Sequence, residues 1–330
     1  MRRREFIGLV GGVAAAWPLG AGAQSERVRK IGMLVGSFEK DDPNTQRELK
    51  VFEDTLAAAG WHANRNILIE YRWAGGDIAR IMAAAKELVG LGLDIIVTRA
   101  TPATAETLQL TNKTPVIFVQ LADPLGPGFV KSFAKPGTNA TGFTNLEASM
   151  ATKWLGLLEE LVPRLPQVTM IYHPETSLDA GRFFSQPLEA AAVASRIKPH
   201  IASIRDLTDV EKAVSITAEA RGALVVAPGS FLAGRRKEVL NIVAKKGVPA
   251  IYPFSYWARE GGLLSYGIDS LNLFRGAASY VDRILRGAQP ANLPVQAPTQ
   301  FDMVINLKTA KSLGLDVPLS LQARADEVIE

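Results

Sequence analysis

A two-beat rhythm restricts the fold of this chain more than any other feature. Short apolar runs alternate with stretches whose apolar residues recur at helical spacing, and Gly, Pro or Ser separates them. That alternation is the pattern of a parallel sheet covered by helices on both faces. Arg29 to Val35 reads as a first strand ending at Gly36-Ser37. Asp42-Pro43 then opens a helix as cap and first-turn proline, and Leu49, Phe52, Leu56 and Ala59 form its buried stripe up to Gly60. Further strands are expected at Asn66–Tyr71, Asp94–Thr98 and Pro115–Val119, with helices at Ile78–Leu88 and from Thr101 onward. A loop rich in Gly and Pro, Asp123 to Gly142, closes the first unit. From Met150 the rhythm restarts, with strands at Val168–Tyr172, Ile201–Ile204, Gly222–Val226 and Val248–Tyr252. Two βα units of similar size in tandem predict a bilobal molecule rather than one long sheet. A third stretch contains Gly262–Gly267, a helix over 271–287, the strand Phe301–Ile305 and the helix Leu307–Leu313; periodicity alone assigns it to neither lobe.

The N-terminus reads as an export address. Arg3-Arg4, one intervening residue and Phe6-Ile7 fit a twin-arginine signal, followed by a weakly apolar Gly/Ala stretch and the small-residue site Ala21-Gly22-Ala23. Pro18 and the glycines between Gly8 and Gly20 make a membrane span of about 20 residues a poor alternative. Cleavage after residue 23 would leave 307 of the 330 residues, a length that suits two domains of about 150 residues. It would also lower the net charge from +4 to +2, because the leader carries three Arg and one Glu. So small a surplus gives no electrostatic footprint for nucleic acid or an anionic membrane. Cysteine is absent, so neither a disulfide nor a lipid-bearing cysteine is expected. The expectation is a soluble periplasmic monomer.

Catalytic signatures are sparse. Neither a P-loop nor a Gly-x-Gly-x-x-Gly after a strand is present, so no dinucleotide cofactor is expected. Ser230 and Ser265 do not sit in a Gly-x-Ser-x-Gly elbow. His62, His173 and His200 lack metal-ligand spacing, so no metal is expected either. What does recur is a small hydroxyl residue at the carboxyl end of a strand: Ser37, Thr98 with Thr101, and Ser230, with Gln120 at the end of the fourth strand placed beside them. Ligands of open α/β sheets bind outside those ends. Thr101 and Ser230 also begin helices, whose free N–H groups favour a carboxylate, although both read equally as ordinary caps. Among Tyr252, Phe254, Tyr256, Trp257 and Tyr266, the rings of Tyr252 and Tyr266 lie nearest strand ends and are the candidates for stacking on a ligand. Asp123 and Asp269 are candidates to pair a ligand ammonium, with turn formation the alternative for Asp123-Pro124. The basic run Arg235-Arg236-Lys237 reads as a solvated helix face.

Several strings also resemble one family. Asp123-Pro124-Leu125-Gly126, Lys135-Pro136-Gly137-Thr138-Asn139-Ala140-Thr141-Gly142, Gly261 to Gly267, Phe301 to Gly314 and Ala323 to Ile329 are similar to the ABC-transporter substrate-binding proteins that include the tryptophan- and tyrosine-binding lipoproteins. The resemblance spans roughly residues 27–330. It implies a type I periplasmic binding fold, two Rossmann-like lobes joined by a three-segment hinge with the ligand between them. The crossings would fall near Thr144-Asn145, near Gly267–Asp269 and near Pro290–Pro294. Lobe 1 would then be 27–144 plus 269–292, and lobe 2 would be 145–268 plus 293–330. The implied function is capture of a small molecule, an amino acid or small aromatic acid, for an ABC permease. An exported enzyme on the same scaffold, or a ligand-sensing partner of a membrane receptor, are the alternatives. Unlike those lipoproteins, this chain carries a twin-arginine leader and no cysteine.

Overall fold

Aspartate caps set the start of half of the long helices in the computed structural model, which describes residues 27–145, 149–177 and 181–330. The expected leader, residues 1–23, lies outside the described residues. The first lobe is built from β1 (Arg29–Val35), α1 (Pro43–Ala58), β2 (Ile67–Trp73), α2 (Ile78–Gly90), β3 (Ile95–Arg99), α3 (Thr101–Leu110), β4 (Val116–Leu121) and β5 (Ala140–Thr144). Its five strands are all parallel, in the order β2-β1-β3-β4-β5. The Asp42 side chain accepts from Thr45 N, and Asp77 accepts from Arg80 N, so α1 and α2 begin where a carboxylate meets a free first-turn N–H. β3 and β4 are buried along their whole length, as strands covered on both faces must be.

The second lobe comprises α4 (Met150–Leu161), β6 (Gln167–Tyr172), α5 (Arg182–Ala194), β7 (Lys198–Ser203), α6 (Leu207–Glu219), β8 (Ala223–Val226), α7 (Ser230–Gly234), α8 (Arg236–Lys246), β9 (Ala250–Tyr252), α9 (Ser255–Arg259) and β10 (Leu264–Ile268). The chain then passes through α10 (Ser270–Leu285), β11 (Phe301–Asn306), α11 (Leu307–Ser312), α12 (Leu319–Gln322) and β12 (Glu327–Ile329). The second sheet has seven strands in the order β12-β11-β10-β9-β8-β6-β7, with β11 antiparallel to β10. Helix α10 leaves this sheet and packs along α1. Its stripe of Leu273, Phe274, Ala277, Tyr280, Val281 and Ile284 joins Leu49, Phe52 and Leu56 in one core. Full burial of a side chain such as Phe52 contributes about 2 kcal/mol, so α10 is held to the first lobe by apolar area. After α10, Gln296 N donates to Gly142 O and Gln296 O accepts from Thr144 N, which keeps the chain beside β5 as far as Gln296. The last passage between sheets therefore follows Gln296, later than the Pro290–Pro294 expected.

The fold class is the expected one, with local differences. β5 occupies the end of what read as loop, because it pairs with β4 through a register shift at Gln120 that no local pattern announces. α7, α9 and β12 are too short to carry a periodic signal. The basic run is not a solvated face. Lys237 is exposed, but Arg236 is buried between the lobes and Arg235 lies over the Phe231 ring at 4.3 Å. Among the described residues no helix is long and apolar enough to cross a membrane.

Candidate ligand-binding cleft

The carboxyl ends of β1, β3 and β4 face the carboxyl end of β8 across a small cavity lined by both lobes, the side of an open α/β sheet on which ligands bind. Ser37, Ala100, Thr101 and Gln120 line it from the first lobe. Thr176, Gly229, Ser230, Phe254 and Tyr256 line it from the second, and Asn145 sits on the passage between them. Two of these residues hold uncommon backbone conformations. Ala100 has φ +80° and ψ 155°, a region that only glycine visits freely, and Gln120 has φ +59°. Such conformations cost about 1–3 kcal/mol each and persist where the surroundings over-determine them. At Ala100 the surroundings do so: its N–H donates to Val119 O at 3.0 Å, and its carbonyl accepts from Thr104 N at 3.2 Å. The sharp turn starts α3 at the cavity wall with no side-chain cap, leaving first-turn N–H groups of a ten-residue helix for another acceptor.

Side-chain atoms of the cavity wall that are buried without a hydrogen-bond partner include Ser230 Oγ and Asn145 Oδ1. Their residues are 2% and 5% exposed. A buried polar atom left unpaired costs about 1–3 kcal/mol, and native proteins retain few of them. Polar groups of a bound molecule would pair both. Arg99 also lines the cavity and forms an ion pair with Glu48. Arg99 Nε donates to Glu48 Oε2 at 3.0 Å and Nη2 to Glu48 Oε1 at 3.3 Å, while Gln120 Nε2 reaches the same carboxylate at 3.4 Å. Arg99 is 1% exposed and its guanidinium lies 4.4 Å from the Phe38 ring centre. Since Glu48 neutralises it, Arg99 stiffens the floor of the cavity without leaving a free charge there.

His173 is set back from the cavity. Its ring stacks on Phe231 at 4.4 Å, and Phe231 N donates to Thr176 Oγ1 at 3.4 Å. Burial pushes its imidazole below the ordinary 6.5, so the neutral form is favoured.

Four of the sequence-derived candidates converge on the cavity: Ser37, Thr101, Gln120 and Ser230. Asn145, expected at the hinge, lines it as well. Five others do not reach it. The Thr98 hydroxyl shares a 2.9 Å hydrogen bond with Thr104 Oγ1 and is buried under α3. Asp123 closes a turn, accepting from Leu125 N at 2.8 Å and Gly126 N at 3.0 Å. Tyr252 is 1% exposed and stacks on Trp257 at 4.9 Å inside the second lobe. Tyr266 stacks on Phe301 at 5.8 Å beside α4, lining a separate surface depression. Asp269 caps α10 by accepting from Leu271 N at 2.9 Å, and it borders a second hollow between the lobes that also touches Asn44 and Tyr256. Of the other hinge candidates, Thr144 donates through Oγ1 to Gln296 O at 3.3 Å. Gly267 lies where the Pro253 carbonyl leaves no space for a Cβ. Arg99, Glu48 and Thr176 were not anticipated. A signal for the first existed, since an arginine ending the apolar strand Ile95–Arg99 must find a buried anion.

The lobes meet backbone to backbone at the mouth of the cavity. A Cβ placed on Gly76 would lie 2.5 Å from Ser230 O. One on Gly234 would lie 2.5 Å from Gly75 O and 2.9 Å from Ser37 O. Glycine is what permits this approach.

Known proteins share this architecture. A family model described as ABC transporter substrate binding protein matches residues 39–329. The tyrosine-binding protein of Clostridioides difficile (strain R20291) is 24% identical over 291 residues, covering 88% of this chain and 82% of the relative. Among solved structures, an ABC domain in complex with L-Trp from Streptococcus pneumonia superposes with a TM-score of 0.82 at 26% identity, over 91% of this chain and 99% of the other. A conserved domain protein from Vibrio cholerae O1 biovar El Tor gives 0.82 at 25% identity, over 92% and 100%.

Proposed function

The chain belongs to the ABC transporter substrate-binding protein family, and from that premise we propose that it holds a small molecule between its lobes in the periplasm and delivers it to an ABC importer. One observation carries the reading: a cavity walled by both lobes, with Ser230 Oγ and Asn145 Oδ1 buried in its lining and unpaired. The ligand class is an amino acid or a small aromatic acid. The uncapped start of α3 suits a carboxylate, Ser230 and Asn145 suit its remaining polar groups, and Phe254, Tyr256 and Phe184 offer apolar surface. The names of the tyrosine-binding relative and of the L-Trp complex support the same class. Export by the twin-arginine route and a monomeric state complete the proposal.

In this reading the jaws are residues 27–144 with 269–296 and residues 145–268 with 297–330, the later boundary following the bonds of Gln296 to β5. Closure removes water from the ligand and strengthens its polar contacts, and the permease recognises the closed surface. A dissociation constant near 1 μM, about −8 kcal/mol, suffices for the task. The test is a thermal-shift screen of amino acids, aromatic acids and nucleobase-like compounds, followed by calorimetry and mass spectrometry of the bound compound. The expected result is micromolar binding, weakened at least tenfold by Thr101→Ala with Ser230→Ala, and recovery of the compound unaltered. Binding that survives the double substitution would remove the site assignment, and chemical conversion of the compound would remove the transport reading.

A further inference from the structure

Arg236 is the one member of the basic run Arg235–Lys237 that the solvent does not reach, at 4% exposure. Its guanidinium joins elements of both lobes. From the second lobe, Nε donates to Glu260 Oε2 at 2.8 Å and Nη2 to Glu260 Oε1 at 2.9 Å, a two-point fork. From the first lobe, Asp42 forms an ion pair with Nη2. Asn44 Nδ2 reaches across to Glu260 Oε1 at 2.8 Å. The Arg236 guanidinium carbon also lies 5.0 Å from the centre of Phe38 in the first lobe and 5.6 Å from that of Tyr256 in the second. Asp42 is itself 8% exposed. None of Asp42, Asn44, Arg236 or Glu260 lines the cavity that would hold the ligand.

We infer that Arg236 is a latch: a positioning residue that holds the two lobes together through Asp42 and Phe38 and so sets ligand affinity without touching the ligand. The inference rests on the reading of the lobes as moving jaws, but not on what they hold. Opening would separate the partners unequally. Glu260 travels with Arg236, so the fork survives and the cation is never left unpaired. Asp42 keeps its bond to Thr45 N as the cap of α1. What opening costs is the Arg236–Asp42 pair, the Asn44–Glu260 bond and the stacking on Phe38. Close charge pairs across an interface can contribute strongly when they are desolvated. The apparent affinity of a clamshell scales with the population of its closed form, so a latch outside the cavity tunes affinity for any ligand equally.

The chain contains no cysteine, which allows a direct test without ligand. Lys86 on α2 and Lys245 on α8 are exposed, and Lys86→Cys with Lys245→Cys accepts one spin label on each lobe. Distances are measured by double electron–electron resonance on the full chain with no small molecule added. The expectation is a closed population that falls about tenfold or more with Arg236→Met. Asp42→Asn should act in the same direction, because asparagine still caps α1 but carries no charge. Combining the two should add little, since they break one shared contact. Arg236→Lys should give an intermediate population, because an ammonium cannot reproduce the fork. An unchanged distance distribution in both Arg236→Met and Asp42→Asn, with native near-ultraviolet dichroism, overturns the latch. That result would leave the ligand-binding proposal standing, and failure of every compound in the screen would leave the latch standing.

Discussion

Gly234→Ala isolates the cost of closing the jaws. Gly234 ends α7 in the second lobe, and its backbone needs no left-handed conformation, so alanine introduces no torsional strain there. The added Cβ would nevertheless lie 2.5 Å from Gly75 O and 2.9 Å from Ser37 O, both in the first lobe. Carbon–oxygen contacts settle at about 3.3–3.6 Å, so roughly 0.8 Å has to be found between two main chains. Neither obstacle is a flexible side-chain tip. Overpacking of this kind costs about 1–3 kcal/mol, and the whole penalty falls on the closed form because the atoms part when the jaws open. A shift of 1–3 kcal/mol between two states is about 5- to 150-fold. Calorimetry with the compound returned by the thermal-shift screen should therefore show a dissociation constant weakened within that range. The melting temperature of the ligand-free protein should hold or rise, since alanine is favoured over glycine in helices by up to about 1 kcal/mol. An unchanged dissociation constant would refute the reasoning, because it would mean that ligand is held without these backbones meeting.

Three further expectations concern the cavity floor and its surroundings. Arg99→Met strands Glu48, which is 1% exposed, and should lower unfolding free energy by about 3–5 kcal/mol; urea titration checks this, and the double change Arg99→Met with Glu48→Met should recover most of the loss. Ala100→Gly relaxes a residue at φ +80° and should raise the urea midpoint, with a net gain of up to about 2 kcal/mol once the greater freedom of glycine in the unfolded chain is set against the relieved strain; an unmoved midpoint would show that the turn is unstrained. His173 should make stability depend on pH. Burial, opposed by Glu175 and aided by Arg235 and Arg205, holds its folded-state pKa below the ordinary 6.5. The unfolded chain then binds more protons below about pH 6.5, so the contribution is complete above that value and is lost as pH falls beneath it. His173→Phe, which keeps a ring on Phe231, should flatten the melting temperature over the acidic side of pH 6.5.

How far the cleft could be read in advance depended on the kind of residue. Ser37, Thr101, Gln120 and Ser230 reach the cavity because each lies at the carboxyl end of a parallel strand or just beyond it, and chain order alone puts those ends on one side of each sheet. Asp42 was legible as a cap for the same local reason. The rings were not. Tyr252 and Tyr256 are four residues apart, yet Tyr252 turns into the second lobe against Trp257 while Tyr256 walls the cavity. The five-residue helix α9 decides which ring faces where, and it is too short to leave a period in the sequence. Tyr266 alternates on a strand whose outer neighbour, β11, arrives antiparallel from 35 or more residues later, and Phe301 stacks on it there.

Arg236 marks the same limit from the charged side. Local pattern places an arginine among basic residues at a helix start in water, where hydration satisfies it. Only the meeting of two lobes surrounds it with Asp42, Glu260 and Phe38. The sequence by itself determined the alternating layers, the helix starts and the side of each sheet on which a ligand belongs, because these follow from periodicity, capping and strand direction over a few residues. Tertiary structure alone decided which side chains line the cavity, which charges are buried and where the jaws touch. Those depend on surfaces distant in sequence excluding water together, and no local stretch of chain contains that information.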